Sequence, residues 1–276
     1  MAQSMREIKD KISATSNMSK ITSAMQMVAT SKLTKFEQKT KGFKAYIKSL
    51  EAIMEKLTVK NHPFFQHTNG SNPGYLVLTA DRGLAGGYNA NILKMLQNKV
   101  EAGPHRIYML GSKGFEYGKT HGLTIENEDL FVPDDLIYND IRPVVELMLD
   151  DYLNGKIDKI VVLYTNYHSK IYQAPEEKQI LPIEPLERAQ SPLHYLMEPS
   201  DESVLEALIP QYLEGVLYGT VMTAKLSEQA ARMNTMQSST ENAIAIIKDL
   251  QLIYNRARQA AITEEINEIV GGASAI

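Results

Sequence analysis

All eleven prolines of this chain lie between Pro63 and Pro210, so residues 1–62 and 211–276 contain none. Glycine is segregated in the same way. Before Pro63 there is only Gly42, and between Gly219 and Gly271 there is none. These two residue types interrupt helices most effectively. Their absence from both ends permits two unusually long helices around a middle that must be built differently.

The patterning of the ends agrees. Ser4 with Glu7 three residues later forms a capping box, a helix start signal. Apolar residues follow at Ile8, Ile12, Ile21, Met25 and Val28, then at Phe43, Ile47, Leu50, Met54 and Leu57. The last five step by four and three, which is a heptad seam. A helix from Ser4 to Leu57 would be roughly 80 Å long. At the other end, Ser200 and Asp201 open a second helix in which Pro210 sits as a possible kink. Its expected face is Leu213, Leu217, Ala224, Ala231, Thr240, Ile244, Ile247, Tyr254, Ala261 and Ile266, with Gly271 and Gly272 as the stop. Such a helix would run for roughly 90 Å, beyond the roughly 35 to 45 Å breadth of a domain this size. Each long helix needs a partner of matching length, and the other end of the chain supplies it. The expectation is an antiparallel coiled coil of residues 1–60 with residues 200–276. The open alternative is two shorter, broken helices folded onto the middle.

Residues 73–195 alternate strands and helices. Gly74-Tyr-Leu-Val-Leu-Thr79, Arg106-Ile-Tyr-Met-Leu110 and Lys159-Ile-Val-Val-Leu-Tyr-Thr165 are buried-type strands, with Ile180 to Ile183 as a candidate edge. Helices are expected from about Asn89 to Val100, after Gly111-Ser-Lys-Gly114, and from Ile141 to Leu153. This is a Rossmann-like α/β domain with a largely parallel sheet.

Little in the sequence carries chemistry. The turn Asp81-Arg-Gly-Leu-Ala-Gly-Gly87 follows a strand and precedes a helix, where phosphates bind in some folds. Its glycine spacing fits neither the dinucleotide fingerprint nor the P-loop, so a tight βα turn is expected. The six histidines lack metal-ligand spacing and are expected on surfaces or loops. The paired carboxylates Asp134-Asp135 and Asp150-Asp151 are expected to be solvated. No cysteine is present, which excludes thiolate chemistry and disulfides. No catalytic, cofactor or metal site is expected. The apolar share of 43% and charged share of 22% are ordinary for a globular chain. No leader peptide and no membrane-spanning run is apparent. Charge is uneven: residues 1–60 carry twelve Lys or Arg against five Asp or Glu, a net of +7 in a chain whose total is −4. A basic rod fits an acidic partner or a solvated helix face, and its spread lysines and sparse aromatics argue against nucleic acid.

Three segments resemble the gamma subunits of F-type ATP synthases. They are Ser4-Met-Arg-Glu-Ile-Lys-Asp-Lys-Ile12 continuing through Lys20-Ile-Thr-Ser-Ala-Met25 to Leu33, Thr79-Ala-Asp-Arg-Gly-Leu-Ala-Gly-Gly-Tyr-Asn89, and Ser227-Glu-Gln-Ala-Ala-Arg232-Met233 with Tyr254 to Val270. The resemblance spans both ends and the middle. It implies a non-catalytic central rotor shaft that couples proton flow through the c-ring to ATP synthesis or hydrolysis. Implied partners are three alpha and three beta subunits, epsilon and the c-ring, with one shaft per complex. It also implies a bacterial origin and a peripheral position on the cytoplasmic side of the cell membrane, held only through the complex. By the same resemblance, Arg232, Gln259 and Thr263 would touch the beta subunit, with Arg258, Met25 and Lys9 as further contacts. Many relatives carry cysteine where Ala85 stands, and plastid members have a cysteine-bearing insert that is absent here, so thiol control is not expected. Two other readings remain open on the residues alone: a nucleotide-binding α/β enzyme and a coiled-coil scaffold.

Overall fold

The computed structural model describes residues 4–54, 63–65, 72–101, 103–128, 131–133, 135–183, 198 and 200–273. The chain forms two compact units, Thr30–Arg232 and the two ends Met1–Ala29 with Met233–Ile276. Its helices are α1 (Met5–Met54), α2 (Tyr88–Val100), α3 (Ser112–His121), α4 (Arg142–Leu153) and α5 (Asp201–Ala273), and its strands are β1 (Pro73–Leu78), β2 (Arg106–Leu110), β3 (Lys159–Tyr167) and β4 (Gln173–Leu181).

The larger unit is built on one sheet of order β2-β1-β3-β4. β1 pairs in parallel with β2 and β3, and β4 closes the edge antiparallel to β3. Strand side chains alternate between faces. Tyr75, Val77, Ile107, Met109 and Leu163 meet Ile92, Leu93 and Leu96 of α2 and Phe115 of α3 on one face. On the other face, Tyr108 donates to Asp151 of α4 at 2.6 Å. β1, β2 and β3 match the expected strands to within two residues. β4 is longer than the expected Ile180 to Ile183, because Pro175, Glu176, Glu177 and Lys178 hide it from an apolar pattern. Such polar and proline-bearing sequences are what protect an edge strand from foreign pairing.

α5 is buried on every side from Thr220 to Ala230, eleven residues in succession. A helix buried all round is packed from several directions at once. α1 covers one side, where Gly219 faces the Phe43 ring and Gly215 faces Ile47. The two contacts step in opposite directions, so the helices are antiparallel here. A Cβ on Gly219 would sit 3.1 Å from Phe43, so the glycine permits the close approach. Tyr218 donates to the Leu136 carbonyl at 2.9 Å on another side.

In the smaller unit, Ser4 and Glu7 cap α1 reciprocally, each side chain accepting from the other's backbone N–H at 3.3 Å. The buried positions are Ile8, Thr22 and Ala29 on α1 and Met236 and Ala243 on α5. Half-buried Ile12, Thr15, Ser19 and Gln26 fill the intervening steps of four and three on α1. Thr240, Ile247, Leu250, Tyr254, Ala257 and Ala261 do so on α5. Thr22 and Thr240 meet hydroxyl to hydroxyl at 2.6 Å.

The seam therefore differs from the expected one. Ile21, Val28, Ile244 and Ile266 are not in it but point outward, with 56, 55, 57 and 53% of their surface exposed. In place of the expected Ile21, Val28 and Ile244, the seam uses Thr22, Ala29 and Ala243, each one position away. The seam hydroxyls have partners close by: Thr15 donates to Lys11 O and Thr240 to Met236 O, and the one proton of Thr22 has both the Thr240 oxygen at 2.6 Å and Ser19 O at 3.1 Å within reach, so burial leaves no orphaned donor. α5 also continues through Gly271 and Gly272 to Ala273 instead of stopping at the glycines. Leu57, the last expected position of the α1 seam, lies outside the described residues, as do Asp134, His62, His67 and His194.

Candidate functional site

The βα turn after β1 is clamped to α5 by charged and aromatic groups withdrawn from water. Lys225 reaches into it from α5. Its ammonium donates to the Val132 carbonyl at 2.7 Å and pairs with Asp81 at 3.4 Å and Glu228 at 3.6 Å. Two turns along, Arg232 donates to Glu228 at 2.8 Å and to the carbonyls of Arg82 and Gly83 at 3.2 and 3.3 Å. The side chains of Asp81, Lys225, Glu228 and Arg232 are between 6 and 11% exposed. Glu228 Oε2 has no hydrogen bond, and the Lys225 ammonium lies 3.6 Å from it.

The turn is also held from its other end. Tyr88 donates to the Ala224 carbonyl at 3.0 Å, and Ala80, Ala85 and Tyr88 pack on Ala231. Burial pushes the Tyr88 phenol well above its ordinary value, with the Glu228 charge adding and Arg232 opposing, so it stays a donor. Asp81 has a second task. Its other oxygen accepts from the Ser112 backbone N–H at 3.1 Å and faces the Ser112 hydroxyl at 3.4 Å, satisfying the start of α3. Leu84 stands at the tip of the turn, in the left-handed region at φ 62° and 62% exposed. The segment joins the end of β1 at Leu78 to the start of α2 at Tyr88.

Arg232 therefore lies inside this clamp in the larger unit, with little of its side chain at the surface. The other five sequence-predicted contact residues lie in the smaller unit. Gln259 and Thr263 are exposed neighbours one turn apart on α5, where the Thr263 hydroxyl donates to the Gln259 carbonyl at 2.9 Å. Arg258 is exposed beside Gln259 on the same helix. On α1, Lys9 is exposed and Met25 is half-buried. Sequence reasoning missed Asp81, Lys225 and Glu228 as one network. The available signal was Lys225, Glu228 and Arg232, three charges at steps of three and four among small and apolar residues of α5.

One further expectation is overturned: Asp151 is buried, not solvated, at 2% exposure. It accepts from Lys156 and from Tyr108, each at 2.6 Å, with Arg106 at 3.7 Å. Burial acts to raise its pKa, but the hydrogen bonds from Lys156 and Tyr108 and the charges of Lys156 and Arg106 prevail and hold it below the ordinary value. His121 and His168 are exposed and His105 half-buried. Among the described residues no group of His, Cys, Asp or Glu is arranged to hold a metal, and no helix is long and apolar enough to cross a membrane.

A four-stranded α/β unit together with one long helix from each end of the chain defines a class of mixed α/β subunits with long terminal helices. A family model described as ATP synthase matches residues 4–276. Gamma chains of ATP synthase from two strains of Staphylococcus epidermidis are 38% identical to it, the alignment covering 99% of this chain and 99% of each relative. Among solved structures, a chain of the Euglena gracilis mitochondrial ATP synthase (OSCP, F1 and c-ring) superposes with a TM-score of 0.73 at 20% identity, covering 98% of this chain and 94% of that one. A chain of the rotor from the same organism gives 0.66 at 18%, covering 94% and 98%. The Tetrahymena thermophila central stalk and c-ring gives 0.60 at 17%, covering 79% and 98%. The chain belongs to the family of ATP synthase gamma chains.

Proposed function

We infer that this chain is the central rotor shaft of an F-type ATP synthase, turned by a proton-driven c-ring and acting on the catalytic sites of three alpha and three beta subunits. The observation that carries the reading is the outward set of Ile21, Val28, Ile244 and Ile266. A helix pair whose seam is filled by Thr22, Ala29, Met236 and Ala243 has no internal use for them. Exposed apolar surface of this kind marks a partner surface. Apolar contact is also non-directional, so a shaft bearing it can turn against a surrounding wall without breaking a fixed set of hydrogen bonds at each step.

In this reading residues 1–60 and 200–276 form the shaft and residues 73–195 the body that meets epsilon and the c-ring. The shaft makes different contacts with three otherwise equivalent sites, and its angle selects their states by differential affinity. Chemistry belongs to the partners, and the shaft itself is not catalytic. Gln259, Thr263, Arg258, Lys9 and Met25 meet the beta subunit directly. Arg232 acts there through the Arg82–Gly83 turn that it holds, or directly once released from it. The protein sits at the cytoplasmic face of a bacterial membrane through its complex alone.

Co-purification tests this. Tagged chain expressed with alpha and beta subunits is expected to elute with three of each per shaft, and Gln259→Leu to lower ATP turnover of that complex. Elution of the chain alone, or in several copies per complex, overturns the reading.

A further inference from the structure

A cleft of about 320 Å³ lies within the larger unit between α1, the β3–β4 hairpin and α5. Its volume is at the lower end of the range of small-molecule sites, about 300–1,000 Å³. The floor is apolar, formed by Phe43, Ile47, Val216 and Met222. Thr40, Thr220 and Thr223 also line it, but their hydroxyls donate to Phe36, Val216 and Gly219 carbonyls and have no proton left for a guest. Asn166 likewise gives its amide to Glu176 at 2.9 Å. The threonine hydroxyls are thus used up, and Phe43, Ile47, Val216 and Met222 offer a ligand apolar contact.

The rim is different. Lys44, Lys48 and Lys178 border the cleft and only Glu51 opposes them, a local excess of two positive charges. Among the described residues none of these three lysines forms an ion pair. Lys178 is exposed as a residue, yet the atoms packed around its ammonium lower its pKa. Lys44 adds to that effect and Glu51 opposes it. Unneutralised like charges over an apolar floor are relieved by an anion with an apolar body.

We propose that the cleft between α1, β3–β4 and α5 binds a small amphiphilic anion, an alkyl or aryl carboxylate whose head sits among Lys44, Lys48 and Lys178 and whose body lies on Phe43, Ile47 and Met222. The proposal stands apart from the rotor reading, since every residue in it belongs to one unit and no partner is required.

Methionine methyl NMR of the full chain tests it. The ε-methyl signal of Met222, buried in the cleft wall, is identified by its loss in Met222→Leu. Octanoate is expected to move that signal saturably, and its neutral isostere octanamide to require a concentration at least several-fold higher. Lys44→Gln with Lys178→Gln is expected to raise the half-saturating octanoate concentration roughly threefold to tenfold, while the other methionine signals stay in place as evidence of folding. Added salt should weaken octanoate and spare octanamide. A Met222 signal unmoved by octanoate, an equal response to octanamide, or indifference to the lysine changes overturns the proposal.

Discussion

The hydroxyls of Thr22 on α1 and Thr240 on α5 lie 2.6 Å apart at the seam of the terminal helix pair. Thr240 donates to the Met236 carbonyl at 2.8 Å, so its oxygen is free to accept from Thr22. Proton donation thus runs from one helix to the other and ends on a backbone carbonyl. A seam of this kind gains close approach and registry where a leucine seam would gain area.

Thr22→Val is accordingly expected to lower the unfolding free energy of the full chain by about 1 kcal/mol. Thr22→Val with Thr240→Val should cost less than the two single changes added together, because the one contact between the hydroxyls is lost in each of them. Urea unfolding followed by circular dichroism reads both. Strict additivity would show that the pair is not coupled.

Arg232→Ala leaves Glu228 with Lys225 as its only counter-charge and removes the donors to the Arg82 and Gly83 carbonyls. Breaking a buried pair in this way costs about 3–5 kcal/mol. Hydrogen exchange should quicken at residues 81–87 before it does so in β2 or β3. Arg232→Met with Glu228→Met is expected to recover part of the loss, since no buried charge then stands alone.

Asp151 supplies a pH-dependent term. Its folded pKa lies below the ordinary value of 3.8. The unfolded chain therefore binds its proton first as pH falls, and the stabilisation is present above that value and lost as pH drops through the folded one. Wild type should exceed Asp151→Ala in stability at neutral pH, with the gap narrowing below about pH 4. A gap that stayed constant down to pH 2 would contradict this origin.

Most of the architecture was legible because the signals were strong and local. Proline and glycine mark out the long helices, Ser4 and Glu7 mark the start of α1, and Arg106 to Leu110 reads as a buried strand. The phase of the coiled seam was not legible. Ile21 and Val28 outweigh Thr22 and Ala29 in hydrophobicity, yet the close packing of the pair favours the smaller residues. β4 was half-hidden because its charged residues serve an edge, not a core. Asp151 looked like a solvated carboxylate because its partners Tyr108 and Arg106 are more than forty residues away in sequence. In the same way, the clamp on Arg232 joins residues far apart in the chain, so the spacing of charges on α5 could not point to Asp81.

The outward residues should separate stability from assembly. Ile244→Glu, at a position 57% exposed, is expected to change the stability of the chain by no more than about 0.5 kcal/mol. It should weaken co-assembly with alpha and beta subunits roughly tenfold or more, the effect of placing a charge in an apolar interface. Equal recovery of the complex from mutant and wild type would remove Ile244 from the contact surface.

Rotation itself is the most direct test. The chain has no cysteine, so Ile171→Cys, at a site 87% exposed in the turn between β3 and β4, gives a single point for attaching a visible probe. With the alpha–beta ring fixed to a surface and ATP supplied, the probe is expected to turn in one direction, pausing three times per revolution at low ATP. A probe that stays at one angle while the same complexes hydrolyse ATP at full rate would contradict the shaft account.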